Sequence, residues 1–350
     1  MNHNEILFFG GFILLVIIFL IIDLGIFDRK AHEVGIKESL IWTIIWIVSA
    51  FLFFVMLRFW GHELHGLETM EDIKMVSEKY KHGLELGGLS LNEALQLYRN
   101  TLSIEFITGY LIEKSLSIDN IFVFILIFAS FGIPSIHYKR VLTWGIIGAV
   151  VMRFVFIFAS AALIQKYDWI LYLFGGFLIF TGLKMFFTKH EKEKDPSKNI
   201  IVKWLSKHFN VTETLHGQDF IYRDHHKTYI TPLFICLIII ELSDVLFAVD
   251  SIPAIFAITK DPFVVFFSNI FAILGLRALF FLVSNILPMF RFLHLGLAVL
   301  LSFIGVKMLA HNPLKEMGFE TYHSLIIIFL ILTVSILASI FIPEKKKIEE

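Results

Sequence analysis

The chain of 350 residues contains a single cysteine, Cys236. An intramolecular disulfide is therefore impossible, and a thiolate site for a soft metal, which would need several sulfurs, is excluded. Charge is scarce too: 17% of the residues are Asp, Glu, Lys or Arg, against 57% hydrophobic, and 39 residues are phenylalanine. At a mean hydropathy of +0.77 the apolar groups cannot all hide in one soluble core of ordinary proportions. No basic surplus points to nucleic acid as a partner, since the formal net charge is −1. Two familiar motifs are also missing. No Lys or Arg precedes the first apolar segment and no small-residue cleavage site follows it, so that segment reads as an anchor rather than a signal peptide. His62-Glu63-Leu64-His65 lacks the i, i+4 histidine spacing that places two rings on one helix face, and reads as a solvated loop, as does His225-His226.

What is present is a series of apolar runs near 5–27, 39–60, 104–130, 141–165, 169–187, 230–258, 263–286, 291–310 and 322–342. Each is near the roughly 20 residues that cross a hydrocarbon core as helix. The expected fold is all-α: a polytopic membrane helix bundle of about nine transmembrane helices, embedded in a lipid bilayer. Residues 1–60 supply two spans, 61–103 an external acidic cap, 104–187 a first three-span unit, 188–229 a basic linker with short helical pieces, 230–310 a second three-span unit, and 311–350 a last span with a basic tail. Basic residues follow spans one, three and five: Arg29, Lys30 and Lys37; Lys139 and Arg140; then a run from Lys189 to Lys227. Those loops should face the cytoplasm, which puts the amino terminus outside and the carboxyl terminus inside.

Against this apolar background, two spans carry acids in their middle: Glu113 and Asp119 in one, Glu241, Asp244 and Asp250 in the other. An ionisable residue at a helix centre costs roughly 2.5 to 3.5 kcal/mol on insertion scales, so five of them need a compensating partner. Laying Asp119 over Asp250 places Glu113 over Asp244 and Asn120 over Ser251 without a gap; Arg153 then falls opposite Arg277, and Gly182-Leu-Lys-Met opposite Gly305-Val-Lys-Met, once a loop is shortened. Two units of three spans each must enter the membrane from opposite sides, giving the inverted 3+3 repeat of secondary transporters, with a site near the midplane. Glu241 and Asp244 share a helix face, and Pro253 is expected to kink or unwind the helix near Asp250 and free carbonyl ligands. With Asn120, Ser117 and Ser251 as neutral oxygens, the set suits a hard cation such as Mn²⁺, Mg²⁺ or Ca²⁺. Structural ion pairs with Lys114, Arg153 or Arg277 are the competing account of some of these acids, although five acids against three bases leave an excess charge of −2.

The stretches Glu105-Phe-Ile-Thr-Gly-Tyr-Leu-Ile-Glu-Lys-Ser-Leu-Ser-Ile-Asp-Asn-Ile-Phe-Val-Phe124 and Glu241-Leu-Ser-Asp-Val-Leu-Phe-Ala-Val-Asp-Ser-Ile-Pro253, together with Ser268-Asn-Ile-Phe-Ala-Ile-Leu-Gly-Leu-Arg277 and Asp23-Leu-Gly-Ile-Phe27, resemble the TerC family in its longer, Alx-type form. That resemblance, to a family named for tellurium resistance, implies a multi-pass protein of the inner, cytoplasmic membrane that exports Mn²⁺ and is tied to manganese and alkaline-pH homeostasis. It carries the family's intramembrane acids onto Glu113, Asp119, Glu241, Asp244 and Asp250, with Asn120 and Ser251 beside them. No prosthetic group and no catalytic residue is expected; Mn²⁺ is the cargo and proton exchange on the carboxylates the expected coupling. A proton or sodium exchanger and a non-transporting assembly or metallation factor are the alternatives. An intramembrane aspartyl protease is disfavoured, because Asp119 follows Ser-Ile and Asp250 follows Ala-Val rather than Gly-x-Gly.

Overall fold

The computed structural model describes residues 3–23, 34–167, 169–187, 207–212, 214–224, 227–286, 292–310, 313–314, 317, 319 and 321–341. The basic positions Arg29, Lys30, Lys189, Lys192, Lys194, Lys198 and Lys203, the pair His225-His226, the stretch Leu24–Phe27 and the tail lysines 345–347 lie outside the described residues.

Helices dominate. The first two are α1 (His3–Asp23) and α2 (Ile36–Trp60), followed by α3 (Met70–Tyr80) and the long α4 (Leu91–Ser130). Then come α5 (Tyr138–Lys166) and α6 (Ile170–Phe187), and after a small sheet α7 (Pro232–Phe256), α8 (Pro262–Ile273), α9 (Leu276–Ile286), α10 (Leu293–Leu309) and α11 (Thr321–Phe341). Among the described residues five helices are long and apolar enough to cross a bilayer, and α8 with α9, bent by 42°, make a sixth, broken span. The lower hydropathy of α4 reflects the acids and bases it carries, and α6 and α10 are shorter apolar helices packed tightly together. With α4, α6 and α10 included, every apolar run read from the sequence coincides with a helix or with the bent pair.

The molecule is inside-out relative to a soluble protein. Leu52, Phe180, Leu246 and Val334 are more than half exposed, while Glu113 and Arg153 are fully buried. Lipid accounts for the first group and internal pairing for the second.

Local chemistry sets several boundaries. Ser90 and Glu93 form a capping box, with Glu93 Oε2 accepting from the Ser90 amide at 2.8 Å, so α4 starts well before its apolar stretch and carries the cap directly into the bundle. The α8–α9 break falls at Gly275, whose φ is +81° and whose missing Cβ leaves room for the Trp46 ring; a Cβ there would stand 2.5 Å from Trp46 Cδ1. Asp261 caps α8 by accepting from the Phe263 amide at 2.9 Å, with Pro262 at the first helical position.

Three expectations are corrected. First, α7 stays helical through Asp250 and Pro253 to Phe256, so the opened turn is not formed; Pro253 lies in the last turn, where only the Val249 carbonyl loses its partner before the helix ends. Second, the linker holds a three-stranded sheet of β1 (Asn210–Val211), β2 (Ile221–Asp224) and β3 (Lys227–Ile230) in the order β1-β3-β2, with β2 and β3 antiparallel. Third, His65 is not in a solvated loop. It is 2% exposed, beneath a cap whose Leu64, Leu67 and Ile73 pack into the same core as the spans.

α4 and α7, the helices paired by the sequence alignment, run antiparallel: Glu105 near the start of the apolar part of α4 meets Thr259 beyond the end of α7. Units of opposite membrane topology require that relation. α6 and α10 pack through glycines with a reciprocal pattern. A Cβ on Gly182 would meet Ser302 Oγ at 2.4 Å and the Ala298 carbonyl at 2.7 Å, and one on Gly305 would meet the Gly175 carbonyl and Ile179 Cγ1, each at 2.7 Å. One offset of 123 residues turns Gly182 into Gly305, Gly175 into Ala298 and Ile179 into Ser302. Gly305→Val should therefore overpack this contact and cost about 1–3 kcal/mol, seen as a lower melting temperature in detergent. An unchanged melting curve would count against so close an approach.

Candidate functional site: carboxylates at mid-span

Four helices deliver polar side chains to one buried point. Arg153 of α5 donates through Nη1 to Glu113 Oε1 of α4 and to Asn269 Oδ1 of α8. Its Nη2 reaches Asp244 Oδ1 of α7 at 3.2 Å and its Nε reaches Asp244 Oδ2 at 3.4 Å, the two-pronged geometry that suits guanidinium and carboxylate. Arg153 and Glu113 are at most 1% exposed. Isolated charges at that depth would be prohibitive, and the network offsets each by the other. It is not saturated: Glu113 Oε2 and Asn269 Nδ2 are buried with no hydrogen-bond partner among the described residues. Lys114, one residue beyond Glu113, points elsewhere and donates to the Ala272 carbonyl at 3.2 Å, where the end of α8 leaves carbonyls without intrahelical partners.

Beside this cluster lies a narrow cleft bordered by Phe124, Gly145, Glu241, Asp244 and Arg277. Glu241 is half-buried, and no hydrogen bond or ion pair holds its carboxylate among the described residues. It lies one turn before Asp244 on α7, and both line the cleft as their i, i+3 spacing requires. The space it occupies is provided by α5. A Cβ on Gly148 would stand 2.1 Å from Glu241 Oε1 and 2.4 Å from its Oε2. Gly148→Ala is expected to drive the carboxylate out of this position, seen as a shifted Glu241 carboxylate band in the infrared spectrum of the purified protein. An unchanged band would show that α5 does not set the placement of Glu241.

Of the residues read from the sequence, Glu113 and Asp244 are brought together by Arg153, and Glu241 borders the same cleft. Asn120 and Ser251 are buried on α4 and α7, and Ser251 Oγ has no hydrogen-bond partner among the described residues. Asp119 and Asp250 are described as helical backbone only; their side chains lie outside the described ones. Two participants were not foreseen. Asn269 sits inside a motif quoted for its resemblance but was given no role, and Gly148 carries no signal beyond being a glycine in an apolar run.

A polytopic helical bundle with a buried charged cluster between apolar spans is an integral membrane protein. The chain belongs to the TerC family: residues 98–347 match the family described as "Integral membrane protein TerC family". Among similar proteins are the "Putative membrane-bound redox modulator Alx" of Salmonella typhi, 39% identical over 97% of this chain and 96% of that one, and the protein of the same name from Escherichia coli K12, 42% identical over 87% and 85%. The "Uncharacterized membrane protein STKORF319" of Myxococcus xanthus is 42% identical over 85% of this chain and 82% of its own. No solved structure matches.

Proposed function

We propose that this TerC-family protein exports a divalent cation, Mn²⁺ first, across the cytoplasmic membrane, with its intramembrane carboxylates as ligands. The observation that carries the reading is Glu241, a carboxylate at span depth with no bonded partner among the described residues, bordering a cleft beside the buried Glu113–Arg153–Asp244 cluster. Arg153 accounts for two of the five acids as a structural ion pair. Asp119 and Asp250, with the neutral oxygens of Asn120 and Ser251, offer a hard, oxygen-only set that suits Mn²⁺, Mg²⁺ or Ca²⁺ over soft ions, while Glu241, about 13.5 Å from Asp250 along the straight α7, serves the ion's path rather than the same coordination shell. The antiparallel α4 and α7 and the reciprocal glycines of α6 and α10 support two inverted units, whose rocking would expose the site alternately to either side. With the amino terminus outside, the cap faces outward and the small sheet the cytoplasm.

A dithiol redox couple is not a rival reading for this chain, since its single cysteine is buried in α7. A sodium or proton exchanger would use the same acids, whereas an assembly or metallation factor would act through the cap and linker. Cells expressing Asp119→Asn or Asp250→Asn should lose manganese tolerance completely while the protein still inserts in the membrane. Wild-type tolerance in both variants would remove these residues from the site.

A further inference from the structure

A second polar cluster lies about 12 Å along α4 from Glu113, toward the cap, at Glu105. It joins five pieces of chain. His65, just after a short turn at the end of α2, has Nδ1 at 2.8 Å from Glu5 Oε1 of α1 and Nε2 at 2.9 Å from Asp261 Oδ2 in the α7–α8 connection. His82, after α3, has Nδ1 at 3.0 Å from Glu105 Oε1 of α4. The Thr259 hydroxyl donates to Glu105 Oε2 at 2.7 Å and accepts from the Asp261 amide at 3.3 Å. The side chains of Glu5, His65, His82, Glu105 and Asp261 are no more than 4% exposed.

The geometry at His65 fits a doubly protonated ring between two ionised carboxylates. A neutral imidazole has one N–H and one bare nitrogen, and a carboxylate only accepts, so two flanking carboxylates are both satisfied only if the ring carries both protons. As imidazolium, His65 ties α1, the cap and the α7–α8 connection together. Without its second proton, a ring lone pair would face a buried carboxylate oxygen, and the tie would become a repulsion.

We propose that this cluster is a proton-binding closure at the cap end of the bundle, shut while His65 is protonated and released when the proton leaves. The proposal rests on the alternating-access reading above and adds the gate on one side of it. Every group facing the ring bears on its titration: Glu5, Asp261, the Tyr80 hydroxyl, and Lys79, whose Nζ is 4.0 Å from Glu5. Beyond them lie His82, Glu105, Tyr98 and, from α10, Lys307. Burial opposes a charged His65, but Asp261 and Glu5 outweigh it and raise the pKa from 6.5 to about 9; His82 is raised too, burial being outweighed by Glu105. A raised folded-state pKa contributes stability that is complete below about 6.5 and lost as the pH climbs through about 9. The closure is therefore an alkaline release.

The test is hydrogen exchange of amides 61–90 in the full-length protein in nanodiscs between pH 7 and 10, corrected for the base-catalysed chemical rate. Wild type should lose protection more than tenfold with a midpoint near pH 9. Asp261→Asn, which removes one negative neighbour and keeps the shape, should move the midpoint to lower pH, and His65→Gln should be released already at pH 7. Protection that stays flat to pH 10, or a midpoint unmoved in Asp261→Asn, would overturn the proposal. Mn²⁺ flux in liposomes, run over the same pH range, separates the two readings: a pH-dependent cap with no flux of any cation would defeat the transport reading and leave the proton closure standing.

Discussion

Arg153→Met is expected to cost the protein its stable bundle. The substitution keeps the stem's bulk and removes the guanidinium that bonds both Glu113 and Asp244, leaving two buried carboxylates and the Asn269 carbonyl oxygen without that donor. Removing one partner of a buried ion pair typically costs about 3–5 kcal/mol, because the remaining charge cannot return to water. Here two charges are stranded, so most of the protein should aggregate on extraction into detergent, read as the loss of a monodisperse peak and of a cooperative melt. Arg153→Lys should fall between: an ammonium restores the charge but not the planar fork that meets three acceptors at once. The combination of Glu113→Gln, Arg153→Met and Asp244→Asn should recover the melt, since no uncompensated charge remains. Wild-type stability in Arg153→Met alone would mean the cluster is not the structural element described above.

Glu241→Gln should behave oppositely, with the fold kept and transport lost. Its carboxylate has no bonded partner among the described residues to strand, and neutralising a half-buried group at span depth removes a desolvation cost rather than adding one. The melting temperature should be unchanged or higher. Flux of Mn²⁺ should drop at least a hundredfold if Glu241 takes the ion-binding role proposed for it, since the carboxylate becomes an amide. A variant that keeps both stability and full flux would take Glu241 out of the ion's path. The contrast between the two substitutions is itself informative, since one acid set answers to stability and the other to function.

Much of the architecture was legible because lipid imposes a simple rule: runs of about 20 apolar residues with satisfied backbone are helices. The acids stood out for the same reason, as did the shared face of Glu241 and Asp244. What stayed hidden was partnership across long sequence distances. Nothing local in His62-Glu63-Leu64-His65 announces that His65 meets Glu5 and Asp261, 60 and 196 residues away. Likewise, the choice of Arg153 to neutralise Glu113 and Asp244 depends on how four helices meet, and the sequence left ligand and ion pair evenly open for those acids. Hydropathy placed the start of the fourth helix near residue 104, whereas the Ser90–Glu93 capping box begins it at Leu91. Pro253 misled in the other direction: a proline in the last turn of a helix need not open it.

The most direct test of the central claim is cation flux into liposomes containing the purified protein, with Mn²⁺, Ca²⁺, Mg²⁺ and Na⁺ measured side by side for the wild type and Asp250→Asn. Manganese flux that the variant loses, with little carried by sodium, is the result expected of a carboxylate-lined divalent-cation transporter. Equal flux in both proteins, or none for any ion from a folded wild type, would contradict it.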